Sequence, residues 1–295
     1  MHPERRNREA DLAELAEQGN WEQLYQMLVL QEFPHEARMG WQLAFLRTLA
    51  VPRMARLMAE TGGMMHHTRK RAYDTGLVIY EIVHAGIDSP VGHRMASLMN
   101  RAHRGHPIDD DDMTYVLAAF IVAPIRHIAK VGWRAPTPAE RHAAHAFFAR
   151  LGSLMSIKHI PADYDATEAY FDDYEAANVA WSPEAETLGR RLVTELKTLQ
   201  PWPLRPLTAK TFTALLDEPR IAEALSLPDP GPVFRAGVST AVQIRAAITP
   251  HRRPRTEPAF TPGQAVAGVY PHGYTLDDLG PSPVDPVAEP RSGEP

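Results

Sequence analysis

The stretch from Arg71 to His103 reads RAYDTGLVIYEIVHAGIDSPVGHRMASLMNRAH, and we expect the other segments to enclose it. Its first part places polar groups at the start of a helix that is more apolar than a surface helix needs. Gly86 and Pro90 mark a turn, and an amphipathic helix then runs to His103. The imidazole continues an apolar stripe on that second helix, so the spacing predicts that it faces the core. The stripe consists of Met95, Leu98, Met99 and Ala102.

Outside this stretch, apolar residues recur at helical spacing and no strand pattern persists. Helix boundaries are marked by breakers such as Pro52 and Gly132. Thr137-Pro-Ala-Glu140 is a capping box with proline at the first helical position. The sequence therefore predicts an all-α protein with a single globular helical domain.

Composition limits the classes of function. With 295 residues, 44% of them apolar, the chain can bury a substantial core. A formal charge of −5 argues against a nucleic-acid surface, which requires a clustered basic excess. No run reaches the roughly 18 uninterrupted apolar residues typical of a membrane span, and the polar N-terminus lacks a secretory apolar region. We therefore expect a cytoplasmic protein without a membrane span.

Three regions are predicted along the chain. Residues 1–35 form an N-terminal helical extension, residues 36–250 the main domain, and residues 251–295 an irregular tail. Ten prolines from Pro250 to Pro295, with few apolar residues, indicate that the tail is not regular structure. Tyr270-Pro-His-Gly-Tyr274 places two aromatic residues around a turn, so part of the tail is expected to dock on the folded body.

The chain has no cysteine, which excludes disulfides, iron–sulfur clusters and thiolate-ligated haem. The 14 histidines are therefore the main candidate metal ligands. His103 fits two interpretations, a buried histidine bonded to a backbone carbonyl or an axial metal ligand in an apolar wall. His127, near the end of an apolar helix, is a second candidate for an inward ligand, although a histidine there also gains from the helix dipole.

Other motifs give weaker evidence for a metal or catalytic site. Glu81-Ile-Val-His84 is half of a di-iron signature, and no second copy follows. Asp109 to Asp112 could bind a cation, but the run also suits a helix N-terminus. No nucleophile elbow and no phosphate-binding glycine loop is present. The residues alone leave haem, a mononuclear metal, or no cofactor.

Several segments occur in the order and at the spacing of a known family. They are Phe45-Leu-Arg47, Pro52-Arg53-Met-Ala55, Arg69 to Thr75, Arg101-Ala-His103-Arg-Gly105, Gly132 to Glu140, and Tyr270 to Pro281. Together they resemble the MpaB/rubber-oxygenase (latex-clearing protein) family of all-helical b-type haem proteins.

The resemblance implies roles for individual residues. His103 corresponds to the proximal haem ligand, and Arg71 and Thr75 correspond to residues that line the haem pocket. Rubber oxygenases have a lysine before that threonine, which can reach the iron; this chain has Asp74. The departure weakens the case for polyisoprene as substrate and leaves a role for Asp74 in proton relay or in holding Arg71. His127 is the further cofactor-binding candidate.

The function expected from this resemblance is that of a haem b-dependent oxygenase acting with dioxygen on a hydrophobic small molecule, by oxygen insertion or oxidative C=C cleavage. A lining of Met64, Met65, Leu77, Met95, Met99 and Phe148 would suit such a substrate. Two alternatives stay open. One is a non-catalytic helical protein that binds a ligand or partner, and the other is a non-haem metal protein using Glu81, His84 and another histidine.

Overall fold

The computed structural model describes residues 2–198 and 200–280, and every regular secondary-structure element among them is a helix. The α-helices are α1 Pro3–Glu17, α2 Trp21–Met27, α3 Pro34–Thr48, α4 Pro52–Glu60, α5 Gly63–His66, α6 Thr68–Ala85, α7 Pro90–His103, α8 Asp110–Val131, α9 Pro138–Leu154, α10 Tyr164–Asn178, α11 Pro183–Thr198, α12 Thr208–Leu215, α13 Pro219–Ala224 and α14 Gly231–Ile248. A π-helix spans Leu28–Glu32, and 3₁₀ helices span Trp202–Leu207 and Thr249–His251. The predicted all-α class is confirmed.

Local chemistry sets the helix ends where the sequence placed them. The amide of Glu140 donates to Thr137 Oγ1 at 3.2 Å, and the Glu140 carboxylate accepts from the Thr137 amide at 2.7 Å, which is a complete capping box. Gly86 ends α6 at φ +92°, a backbone conformation that side chains with a Cβ disfavour. Asp109 precedes α8 without a side-chain cap bond, and the three following aspartates occupy the first turn, where the helix dipole favours them.

Helices α3 and α8 form the centre of the fold. They approach so closely at Gly40 that a Cβ there would lie 2.3 Å from the Cα of Pro124. Only glycine allows this approach, because real Cβ contacts are never so short. The absence of a Cβ at Gly40 therefore sets how closely α3 and α8 approach at this point.

A buried polar network joins the central pair to α10. Arg47 is 1% exposed, and its Nη1 donates to both carboxylate oxygens of Glu175, at 2.8 and 2.6 Å. The hydroxyl of Tyr115 donates to the same carboxylate at 2.9 Å, and Asp217 accepts from Arg47 Nη2. Because both charges are out of water, removing either partner would leave the other uncompensated.

The segment of residues 2–35 contributes to the main core. Leu24, Tyr25, Leu28 and Phe33 are fully buried, and they pack in one cluster with side chains of α6, α8 and α9. A smaller apolar cluster joins α3 to α11, α12 and α13. The described chain is thus one helical domain, with its N-terminal helices packed into the main core.

By length and composition, α8 could cross a membrane. However, 78% of its most apolar window is buried inside the protein, as in the core helix of a folded domain. Arg126 and His127 interrupt its apolar run, so the helix contains no uninterrupted stretch of roughly 18 apolar residues.

Candidate functional site

The N-terminal half of α6 carries three of the predicted site residues. Arg71 is half-buried, and its side chain lies beside Gly63 at the start of α5. It forms no ion pair among the described residues. Thr75 is also half-buried, and its hydroxyl donates to the carbonyl of Arg71 at 3.0 Å. An oxygen that donates in this way can still accept a hydrogen bond from a ligand.

Asp74 is only 1% exposed, and its carboxylate is surrounded by donors. It accepts from Lys70 Nζ at 2.6 Å, from the hydroxyl of Tyr270 at 2.7 Å and from the amide of Gly280 at 3.2 Å. Arg71 is not among these partners. The structure therefore places Asp74 as the anchor of the C-terminal tail, a position that sequence reasoning did not foresee.

Lys70 completes this anchor. Besides its bond to Asp74, it donates to the carbonyls of Asp278 and Gly280 at 3.1 and 3.0 Å, and its Nζ lies 5.7 Å from the ring centroid of Tyr270. Sequence reasoning did not single out Lys70. The signal was present, since a lysine four residues before an aspartate on a helix is a common ion pair.

A second tyrosine of the tail forms a hydrogen bond with the other acidic residue of α6. The hydroxyl of Tyr274 donates to Glu81 at 2.6 Å, and Glu81 is 3% exposed. Burial and the neighbouring carboxylate raise the pKa of Tyr274, so its hydroxyl keeps its proton. His84 instead packs with its ring 6.0 Å from that of Phe260. Among the described residues, no group of three histidine or carboxylate side chains is placed to hold a metal ion.

His103 is the last residue of α7, and its Nδ1 lies 2.6 Å from the carbonyl oxygen of Met99. A carbonyl oxygen only accepts hydrogen bonds, so Nδ1 carries a proton. Although the residue is solvent-exposed, enough protein surrounds the ring for burial to lower its pKa; the Met99 bond opposes this, and the charges of Arg71 and His106 add to it. The ring is therefore neutral near pH 7, with the lone pair of Nε2 available.

The exposure of His103 corrects the expectation that it faces the core. Met95 is 1% exposed, whereas Met99 and Ala102 are half-buried and His103 is exposed. Among the described residues, burial thus falls off along α7 toward its last turn. On α6 the same gradient runs the other way, from the half-buried Arg71 to a buried C-terminal half. We call the open end of this helix pair, formed by Arg71, Thr75, Met99 and His103, the α6–α7 site.

The structure does not bring His127 to this site. The side chain of Asn100, on α7, donates to the carbonyl of Leu154, and Gly152 of the same α9 turn packs on Leu117 of α8. His127 lies ten residues beyond Leu117, which is about 15 Å along the helix axis. Burial, with the charges of Lys130 and Arg245, lowers the pKa of His127 to about 4.

Nor do the six predicted lining residues form one surface. Met64 and Met65 pack in the cluster around α3 and α11. Leu77, Met95 and Phe148 are buried in the main core. Only Met99 is both half-buried and next to His103 in the structure.

The donor set at the α6–α7 site fits a b-type haem. Metal-bound histidines usually donate their second ring N–H to a carbonyl or carboxylate, as His103 does to Met99. A guanidinium close enough to influence that ring, Arg71, is suited to pair with a carboxylate of the cofactor. The half-buried thioether of Met99 offers an apolar contact.

Comparison with known proteins gives a consistent family. The family described as "ER-bound oxygenase mpaB/B'/Rubber oxygenase, catalytic domain" matches residues 36–247. The chain is 26% identical over 244 residues to ER-bound oxygenase mpaB' of Penicillium brevicompactum, covering 76% of this chain and 57% of that protein. It is 33% identical over 135 residues to ER-bound oxygenase mpaB of Penicillium roqueforti, covering 43% of this chain and 44% of that protein.

A solved structure of latex clearing protein in the closed state superposes with a TM-score of 0.60 at 19% identity, covering 72% of this chain and 63% of that one. At this identity the likeness concerns the fold. The chain spans less than two thirds of the length of each of these relatives. The match over residues 36–247 and the shared helical fold establish what the order of motifs predicted: this chain belongs to the mpaB and rubber-oxygenase family.

Proposed function

We propose that this protein is a haem b-dependent oxygenase that uses dioxygen to oxidise a hydrophobic small molecule. Membership of a family described by its oxygenases supports the reaction class. The observation that carries the cofactor is the state of His103, a neutral imidazole whose N–H is held by the Met99 carbonyl and whose Nε2 has a free lone pair. A proximal haem ligand needs this tautomer.

The chain's own residues divide the work around the cofactor. His103 Nε2 would ligate the iron, Arg71 would pair with a propionate, and the Thr75 hydroxyl, which donates to the Arg71 carbonyl, would accept a hydrogen bond from a ligand. When bound, a haem with one histidine ligand supplies the binding and activation of dioxygen. Asp74 takes no part as a ligand in this proposal, because Lys70 and the tail already occupy its oxygens.

The substrate proposed is an apolar molecule. Met99 and Ala102 are half-buried apolar residues next to the candidate ligand, and such surface favours hydrophobic binding. Both oxygen insertion and oxidative C=C cleavage are consistent with this site. The relatives' names place those proteins at the endoplasmic reticulum; for this chain a cytoplasmic location remains our prediction.

The test uses the full chain purified from haem-supplied cells. We expect a red protein with a Soret band near ~400 nm, and pyridine extraction should identify haem b. His103→Gly should lose the haem, and added imidazole should restore the band by replacing the missing ligand. His106→Ala is the matched control, since His106 lies close to His103, and it should retain the spectrum.

Three results would overturn the proposal. A colourless wild-type protein, with His103→Gly unchanged in absorbance and stability, would favour the non-catalytic binding protein. Metal without porphyrin in elemental analysis would favour a non-haem metal protein. A haem that stays bound in His103→Gly but is lost in His106→Ala would show that His106, and not His103, ligates the iron.

A further inference from the structure

The C-terminal tail crosses from α6 to α7 at the level of the α6–α7 site. The amide of Gly280 donates to the carboxylate of Asp74, on α6, at 3.2 Å. A Cβ added to Gly280 would lie 2.9 Å from Cδ1 of Leu98, on α7. One residue of the tail thus contacts both helices. Thr75 and Met99 of the site directly follow the two contacted residues in the chain.

The tail also carries polar contacts that connect the two helices. On α6, Lys70 donates to the carbonyls of Asp278 and Gly280. On α7, Arg94 forms an ion pair with Asp277. Among the described residues, no hydrogen bond joins α6 directly to α7. In this part of the chain the polar connection between the helices therefore runs through the docked tail.

The tail lies beside the site rather than in it. Successive residues of a helix are about 100° apart around its axis, so Thr75 and Met99 are each turned away from the residue that contacts Gly280. The tail forms no hydrogen bond, among the described residues, with the members of the site, Arg71, Thr75, Met99 and His103. It can therefore act on the site through the position of the two helices, without competing for the ligand.

The site is divided between the same two helices. Arg71 and Thr75 belong to α6, whereas Met99 and His103 belong to α7. A ligand that contacts both pairs binds most tightly when they already have the required separation, because binding then carries no added cost of ordering the protein.

We propose that docking of the tail and binding of haem at the α6–α7 site are coupled, each strengthening the other, because the docked tail holds α6 and α7 at the separation that the cofactor requires. The inference rests on the proposed function, since haem is the ligand. Asp74 and Gly280 are then positioning residues, which act on the site through the two helices. Coupling is reciprocal, so haem reduces opening of the tail by the factor by which docking raises haem affinity, typically about 5- to 150-fold.

The experiment adds haemin to the full chain expressed without supplied haem. The amide of Tyr270, which donates to the carbonyl of Val266 in the docked tail, reports tail opening by hydrogen exchange. We expect haemin to slow this exchange about 5- to 150-fold. Titration of the Soret band gives the haemin affinity, which Gly280→Val should lower by a factor in the same range. At φ +100° and against Leu98, the valine side chain opposes docking without removing a polar group.

The matched control is Gly231→Val. Gly231 also has a positive φ, +75°, but it lies at the start of α14, where a Cβ would meet nothing within 4 Å. This variant should bind haemin as the wild type does, and circular dichroism should show both variants folded. Tyr270→Phe, a milder change that removes a donor to Asp74, should lower haemin affinity in the same direction by a smaller factor.

The outcomes separate the coupling from the cofactor. Haemin that binds with a Soret band dependent on His103, but leaves the exchange of Tyr270 unchanged or faster, would refute the coupling and leave the proposed function intact. A wild-type chain that binds no haemin would refute both. Equal losses of haemin affinity in Gly280→Val and Gly231→Val would show that backbone strain, and not the tail contact, causes the loss, and would also overturn the inference.

Discussion

Removing one hydroxyl from the tail should loosen it while leaving the domain folded. In Tyr274→Phe the buried ring stays in place, and only the O–H that donates to Glu81 is lost. Glu81 is 3% exposed, and no other donor to it is present among the described residues. A buried polar group left without a partner costs about 1–3 kcal/mol. The equilibrium between docked and undocked tail should therefore shift about 5- to 150-fold toward undocking.

Amide hydrogen exchange measures this shift directly. The amide of Tyr270 donates to the carbonyl of Val266 at 2.8 Å, and the amide of residue 274 donates to Gly263 at 3.2 Å. If the tail opens as a local unit, these amides should exchange faster by the same factor. Amides in the middle of α8 should be unaffected, because they open only with the whole domain.

The matched control is Tyr73→Phe. Tyr73 lies on α6 as Glu81 does, is half-buried, and its hydroxyl has no hydrogen-bond partner in the described part of the chain. Tail exchange that rises no more in Tyr274→Phe than in Tyr73→Phe would show that the Glu81 contact does not hold the tail. A uniform rise across tail and α8 would show that the two unfold together, which contradicts a separate latch.

Three further changes test the fold. Arg47→Met leaves Glu175 buried without its cation, so urea unfolding should show a loss of about 3–5 kcal/mol; a loss under about 1 kcal/mol would contradict the network. In the folded protein the pKa of His127 is lowered to about 4, so the free energy of unfolding should fall as pH drops from ~6.5 toward 4, because the unfolded chain takes up the proton first. His127→Leu should remove about 3 kcal/mol of that fall, and parallel pH profiles of the two proteins would refute the reasoning. Gly40→Ala should destabilise by about 1–3 kcal/mol, while Gly237→Ala, in open space, should stabilise slightly; equal effects would disprove the close crossing.

Features fixed by neighbouring residues were predictable from the sequence. The capping box at Thr137 and the stop at Gly86 use groups within a few residues of each other, so spacing alone identifies them. Helical periodicity likewise predicted that Met95 is buried. The order of motifs was enough to identify the family.

Features fixed by distant residues were not. Asp74 binds groups 196 and 206 residues away in the chain, and Glu81 binds one 193 residues away. No local pattern encodes such pairings. The same limit explains His103, because a helix pattern tells which side a residue is on but not whether another element covers the last turn. His127 was expected to face inward, and it is buried, but it lies on a part of α8 far from the α6–α7 site.

The anchor at Asp74 also constrains the paths along which this sequence can evolve or be engineered. The rubber-oxygenase pattern has a lysine at position 74. Introducing it here would set two ammonium groups side by side, at Lys70 and position 74, and would remove the acceptor for Tyr270 and Gly280. The substitution is thus epistatic with Lys70 and with the tail. A chain with lysine at 74 is reached from this one only after the tail contacts have been rebuilt, so a single exchange at the site reports on tail docking before it reports on catalysis.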